Sequence, residues 1–323
     1  MKTTHKLRRI FRLPVFIAIF IAAPLLTGCS GPAGPNAIGN GPVRVVATTS
    51  MIADAVREIG GSAVEVTAIM GPGTDPHTYL PTPGDTDALS SAHIVFFNGL
   101  HLEGKMTQLL EENKSGTRAV AVSKNIDHSK LRTAEGSDGT HDPHVWFDVQ
   151  LWMSCVDVIR DELMALDPPR AEQYKTNAEK YRAKLVDLDN EVRTKANKIP
   201  AKQRVLVTSH DAFGYFAKAY GFEVYGLQGV STAAATSSAD VENLASLIGT
   251  RQIPAVFCET SVRPKGLEKV LVTVKSKYGL DVRLIGGDDA LYSDALGEAG
   301  TSGENYIGMV RHNIDVIAKA ITP

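Results

Sequence analysis

An α/β fold of two lobes is the class this sequence predicts, each lobe a mostly parallel four-stranded sheet flanked by helices. Three observations lead there. Eight short β-branched runs alternate with helical patterns, the signature of parallel sheets with crossover helices. Those runs fall into two groups of four, separated by one long segment without strand signal. The length, 323 residues, suits about two domains.

The first thirty residues read as an address. Residues 2–12 are basic, residues 13–27 are apolar, and Gly28-Cys29 comes next. A basic start, an apolar core of fifteen residues and a small-residue end describe a secretory signal. The run is short for a spanning helix, which needs about 20 apolar residues. Leu26-Thr27-Gly28-Cys29 resembles a bacterial lipobox, which implies cleavage before Cys29 and lipid attachment to its thiol. The alternatives are an uncleaved anchor or a plain signal with an incidental cysteine. Residues 1–28 are therefore assigned to a lipoprotein signal peptide and 29–42, rich in Gly, Pro and Asn, to a flexible tether. The expected location is extracytoplasmic, held at the cell membrane by lipid. The signal segment carries a charge of +5, so the overall −2 becomes −7 once it is removed. A mildly acidic chain is a poor candidate for nucleic-acid binding. With 43% hydrophobic and 22% charged residues the composition is globular, and three cysteines exclude a disulfide scaffold. Cys155 and Cys258 sit in apolar runs and read as buried free thiols.

The first lobe is expected over 43–167. Its strands are 43–49, 64–70, 93–98 and 118–122, mostly continuous apolar runs as for strands covered on both faces. Helical patterns occupy 50–59, 84–92, 104–113 and 145–166, and the polar stretch 127–143 reads as a loop. Residues 168–199 come next, opened by Pro168-Pro169, without interior Gly, and stopped by Pro200. Tyr174, Ala178, Tyr181, Leu185, Leu188 and Val192 form a stripe near 3.6-residue spacing. A single helix of roughly 45 Å linking two lobes is the reading preferred; a helix packed inside one large domain is the alternative. The second lobe, 200–323, has strand runs at 204–209, 222–227, 255–259 and 282–286. Its helical patterns lie at 210–220, 238–252, 264–278 and 304–321.

Three histidines share a common placement, where a loop meets a regular element. His77 ends Asp75-Pro76-His77, after strand 64–70. His144 ends Asp142-Pro143-His144, at the start of a helix. His210 directly follows strand 204–209. In doubly wound sheets ligands collect beyond the carboxyl ends of strands. Acidic residues at comparable edges are Asp288, Asp289, Asp294 and Glu259. Three imidazoles and one carboxylate suit Zn²⁺ and tolerate Mn²⁺ or Fe²⁺. Asp75 and Asp142 stand where they orient the imidazoles or nearby amides. Of the other histidines, His93 reads as structural, His101 as packing or orienting, His128 and His141 as solvated loop residues, and His312 as exposed. Trp146, Phe147, Phe213 and Tyr215 read as core and cleft walls, and Glu259 as a satisfied inward carboxylate.

Five stretches carry a family resemblance: GPGTDPHTYLPTPGD (71–85), NGLHLEGKM (98–106), DPHVWFDVQLW (142–152), TSHDAFGYFAKAYG (208–221) and LYSDALGEAGTSGENYIGMVRHNID (291–315). The chain resembles the zinc/manganese solute-binding proteins of ABC importers, cluster A-I, and most closely the TroA-like lipoproteins. The resemblance spans essentially all of the mature chain. It implies two α/β lobes joined by a backbone helix with the metal between them. It also implies that His77, His144, His210 and Asp294 are the ligands, and a membrane permease the partner. The chain lacks the long His-rich loop common in zinc-dedicated members. It keeps His210 where many manganese-dedicated members have Glu. The expected function is capture of Zn²⁺ or Mn²⁺ by a monomer that is not an enzyme. The competing readings are a zinc-dependent hydrolase, for which neither HExxH nor GxSxG is present, and a surface adhesin.

Overall fold

Two sheets of identical strand order organise the molecule. The computed structural model describes residues 1–3, 38–39, 41–111, 117–134 and 139–321. The expected signal segment from residue 4 on, Cys29 and most of the tether lie outside the described residues. Both sheets belong to the compact unit Pro35–Pro323.

The first sheet contains β1 (Val43–Ala47), β2 (Val64–Ala68), β3 (Ile94–Phe97) and β4 (Ala119–Ala121), in the order β2-β1-β3-β4. The second contains β5 (Val205–His210), β6 (Glu223–Gln228), β7 (Ala255–Phe257) and β8 (Arg283–Ile285), in the order β6-β5-β7-β8. Every pairing is parallel. Parallel neighbours need crossovers, and helices supply them: α1 (Ser50–Gly60) and α2 (Pro83–Ser91) in the first lobe, α6 (Gly214–Tyr220), α7 (Ser238–Arg251) and α8 (Lys265–Tyr278) in the second. In each sheet the strand order reverses between the first and third strands. That reversal opens a crevice at their carboxyl ends.

The central strands are largely buried, β3 at all four positions and β5 at all six, with Arg44 of β1 half-buried. The edge strands differ from the expectation of cover on both faces. β2 reads Val-Glu-Val-Thr-Ala and alternates half-buried with exposed, because an edge strand has only one covered face here. Two helical expectations are also modified. Of the expected helix 104–113, residues 104–111 are described, and they form a 3₁₀ turn, 104–106, leading into the short α3 (Thr107–Glu111). Residues 145–166 form a 3₁₀ turn, 145–147, and then α4 (Val149–Leu166), capped by Asp148 accepting the Gln150 N–H at 2.9 Å.

The long helix is α5 (Ala171–Lys198), preceded by a 3₁₀ turn at Pro168–Arg170. All six residues of the expected stripe are buried, with Asp189 and Ala196. α5 packs on α1 and α4 of the first lobe and on α6 and α9 (Tyr306–Ile321) of the second. One apolar cluster runs from β1 and α1 through α4 and α5 to α6 and α9. The helix therefore both joins the lobes and lies within a shared core. Polar ties fix it at each end: Asn177 Nδ2 donates to Ile59 O at 3.0 Å, and Tyr220 Oη donates to Asp189 Oδ1 at 3.0 Å. Cys155 and Cys258 are buried free thiols.

Candidate metal centre

The site forms where the carboxyl ends of the two sheets face each other. His77 lies on the turn after β2. Its N–H donates to Asp75 Oδ1 at 2.9 Å, so the residue two positions back closes the turn. His144 stands before the 145–147 turn; Pro143 fixes the approach, and Asp142 Oδ1 accepts its N–H at 3.0 Å. The two Asp-Pro-His tripeptides thus build the same local structure. His210 is the last residue of β5 rather than the residue after it, and its N–H donates to Glu259 Oε1 at 2.9 Å. Asp294 lies beyond β8, in the connection to α9.

The four side chains converge. His144 Nε2 is 3.2 Å from His77 Nε2 and 3.4 Å from His210 Nε2. Asp294 oxygens lie 3.2 Å from His210 Nε2, 3.4 Å from His144 Nε2 and 3.9 Å from His77 Nε2. A tetrahedron with metal bonds near 2.0 Å has edges of about 3.3 Å. All four donor atoms fall within 4.8 Å of one another. His144 and His210 are fully buried, Asp294 is 1% exposed and His77 6%. Neither Asp294 oxygen accepts a hydrogen bond of good geometry. A buried carboxylate with that deficit is costly unless a cation satisfies it.

The atoms behind the rings set their orientation. Asp142 Oδ1 lies 2.8 Å from His144 Nδ1, and Glu259 Oε2 lies 2.5 Å from His210 Nδ1. A carboxylate at Nδ1 holds the proton there and leaves the Nε2 lone pair facing the centre. Asp75 is placed differently: it holds the backbone of His77 rather than its ring. Charge follows these contacts. Burial, helped by the neighbouring His144 and His210, holds His77 down at about 4 against the pull of Asp294. Burial also opposes charge on His144, but Asp142 and Asp294 overcome it and raise its pKa to about 9. His210, equally opposed by burial, is raised well above the imidazole range by Asp294 and Glu259. Burial would raise Asp294, yet His210 and His144 hold it well below the usual carboxylate range. Without a metal the cage is therefore an Asp294 anion balanced by protonated His144 and His210.

Several residues with no individual role in the sequence reading hold the ligand loops. Asn98 Nδ2 donates to Pro143 O at 3.0 Å, tying the end of β3 to the His144 turn. Glu103, fully buried, accepts from Thr48 Oγ1 at 2.9 Å and from the Asn98 N–H at 2.5 Å. Next to it Gly104, at φ +47°, lies against the His77 carbonyl where a Cβ would collide. Trp146 Nε1 donates to Ser293 O at 3.0 Å, and Ser50 Oγ accepts the Leu296 N–H at 2.8 Å, pinning both sides of Asp294 to the first lobe. Polar residues crowded just after a buried strand are the available signal for Glu103.

The remaining histidines divide. His93 Nδ1 accepts the Arg44 N–H at 2.9 Å, a structural role. His101 is exposed, on a turn with φ +62°, and is no part of the cage. His312 corrects the expectation of exposure: it is half-buried, with Nδ1 2.8 Å from Ser302 Oγ and Nε2 2.9 Å from Ala290 O. His128 and His141 face each other with ring centroids 5.8 Å apart. The aromatic walls are buried, Trp146 edge-on to His144 at 5.2 Å and Phe147 against Phe213 at 4.3 Å.

Comparison with known proteins gives the lineage of this cage. Residues 45–320 match the model of the family described as "Zinc-uptake complex component A periplasmic". The chain belongs to that family. It is 44% identical over 305 residues to the zinc-binding protein TroA of Treponema pallidum, covering 94% of this chain and 97% of that one. It is 45% identical over 311 residues to the manganese-binding lipoprotein MntA of Bacillus subtilis, covering 96% and 99%. The solved structure of the periplasmic zinc binding protein TroA from Treponema pallidum superposes with a TM-score of 0.84, covering 88% of this chain and all of that one. The family thus includes members named for zinc and for manganese, on one fold of two parallel sheets and a long helix.

Proposed function

We propose that this protein is the solute-binding component of an ABC metal importer. It captures one divalent transition metal, Zn²⁺ or Mn²⁺, between its lobes and passes it to a membrane permease. His77, His144, His210 and Asp294 hold the ion; Asp142 and Glu259 orient the two inner imidazoles and Asp75 the His77 turn. The observation that carries the reading is the convergence of three Nε2 atoms and a carboxylate, all buried, at tetrahedral spacing. Four protein donors complete a tetrahedral shell and leave no position for a reacting water, which favours holding over turnover. Nitrogen-rich ligation and the divalent affinity order favour Zn²⁺ over Mn²⁺ at equilibrium. The relatives' names support the transport role, and the Leu26–Cys29 pattern supports lipid anchoring outside the cytoplasm.

The test is calorimetric titration of metal-stripped protein with Zn²⁺ and Mn²⁺, repeated with His210→Ala and Asp294→Ala. One tight site per chain is expected, tighter for Zn²⁺, with both variants weakened by at least about 100-fold, since each change removes a ligand. Binding indifferent to both changes would sink the assignment.

A further inference from the structure

One cage-supporting residue also touches the opposite lobe. Asp75 Oδ1 accepts the His77 N–H at 2.9 Å, and Oδ2 accepts from Thr78 Oγ1 at 2.8 Å. Oδ2 also accepts from Thr232 Oγ1 at 2.6 Å, a residue of the second lobe 157 positions away. Thr232 belongs to the irregular stretch 229–236 between β6 and α7, most of it exposed. Asp75 and Thr232 are both half-buried, at the rim above the cage. The same turn comes close again at Gly73, where a Cβ would stand 3.6 Å from the Thr260 carbonyl.

We propose that the Asp75–Thr232 hydrogen bond is a latch across the mouth of the cleft, coupling lobe closure to the placement of His77. The proposal rests on the metal-carrying reading of the cage. The carboxylate is shared: one oxygen shapes the turn that presents His77, and the other grips a segment that moves with the second lobe. When the lobes part, Asp75 loses Thr232 and the His77 turn loses its outer tether, so the most exposed of the four ligands is loosened first. Asp75 and Thr232 are positioning residues; neither touches the ion. The bond is charge-assisted, which puts it at the stronger end of side-chain hydrogen bonds, and its rim position moderates that strength.

The test measures Zn²⁺ dissociation from the loaded full chain by stopped-flow mixing with excess chelator. Thr232→Val keeps the shape and removes the donor, and Thr232→Ser restores the hydroxyl. The cobalt-loaded forms report cage geometry by their visible absorption. Thr232→Val is expected to dissociate about five- to tenfold faster, the loss of one such hydrogen bond, with an unchanged cobalt spectrum. Thr232→Ser is expected to return the wild-type rate. A Thr232→Val rate within about twofold of wild type, in protein that binds Zn²⁺ stoichiometrically, would overturn the latch alone. So would failure of Thr232→Ser to restore the rate. Wild-type protein that takes up no Zn²⁺ would overturn the metal reading and the latch with it.

Discussion

At the scale of single residues, the cage is a competition between protons and metal. His144 is raised to about 9 and His210 well above the imidazole range, so both are protonated in the empty site at pH 7. Asp294 is held well below the carboxylate range and His77 at about 4, so neither brings a proton at that pH. On the proposed reading, metal displaces the protons of His144 and His210. Affinity is therefore expected to fall as pH drops below about 9, with about two protons released per ion at pH 7. Calorimetry in two buffers of different ionisation enthalpy counts them, and zero release would contradict the protonation pattern. The three histidines are legible in the sequence because each sits where a strand or helix meets a loop. Asp294 is not separable from Asp288, Asp289 and Glu259 by spacing, and only family resemblance chooses it. Asn98 and Ser50 are illegible for a different reason. Their partners, Pro143 O and the Leu296 N–H, are backbone groups of distant segments, which no residue type announces.

At the scale of elements, the loop after β3 works as a brace. Glu103 and Asn98 fix its root, and Gly104 lets it approach the His77 carbonyl. Gly104→Ala adds a Cβ at φ +47° and drives it into that carbonyl. The left-handed backbone alone costs about 1–2 kcal/mol for a residue with a Cβ, and the collision displaces the His77 turn. The expected result is metal binding weakened about tenfold or more, with His144, His210 and Asp294 still in place; a competition titration against a chelator checks it. Periodicity finds the regular elements well. α5 is legible because its stripe repeats along the whole helix without Gly or Pro. The segment 104–113 reads as one helix because its apolar spacing continues through a 3₁₀ turn that carries Gly104 past His77. β2 reads as doubly covered only when its alternation is not weighed: Glu65 and Thr67, set between Val64, Val66 and Ala68, mark one open face, as at a sheet edge.

At the scale of the molecule, the lobes share one core through α5, and the cage lies between them. Metal that binds only the folded form stabilises it by mass action: at about a thousand times Kd the gain is about 4 kcal/mol. For a chain of this size that moves Tm up by about 10 °C. Because the apolar cluster is continuous from β1 to α9, the transition is expected to stay single with and without metal. Differential scanning calorimetry checks both, and two separate peaks would show that the lobes melt independently. The same continuity bears on how the protein is made. α9 comes after both sheets in the chain, yet it lies against α5 and α1, and the N–H of its first residue, Tyr306, donates to Asp54 of α1 at 3.0 Å. A nascent chain that stops short of Tyr306 carries a first lobe with one apolar flank uncovered. The half that comes first in the chain cannot finish folding until α9 arrives, so closing the first lobe depends on a contact 252 positions away along the chain.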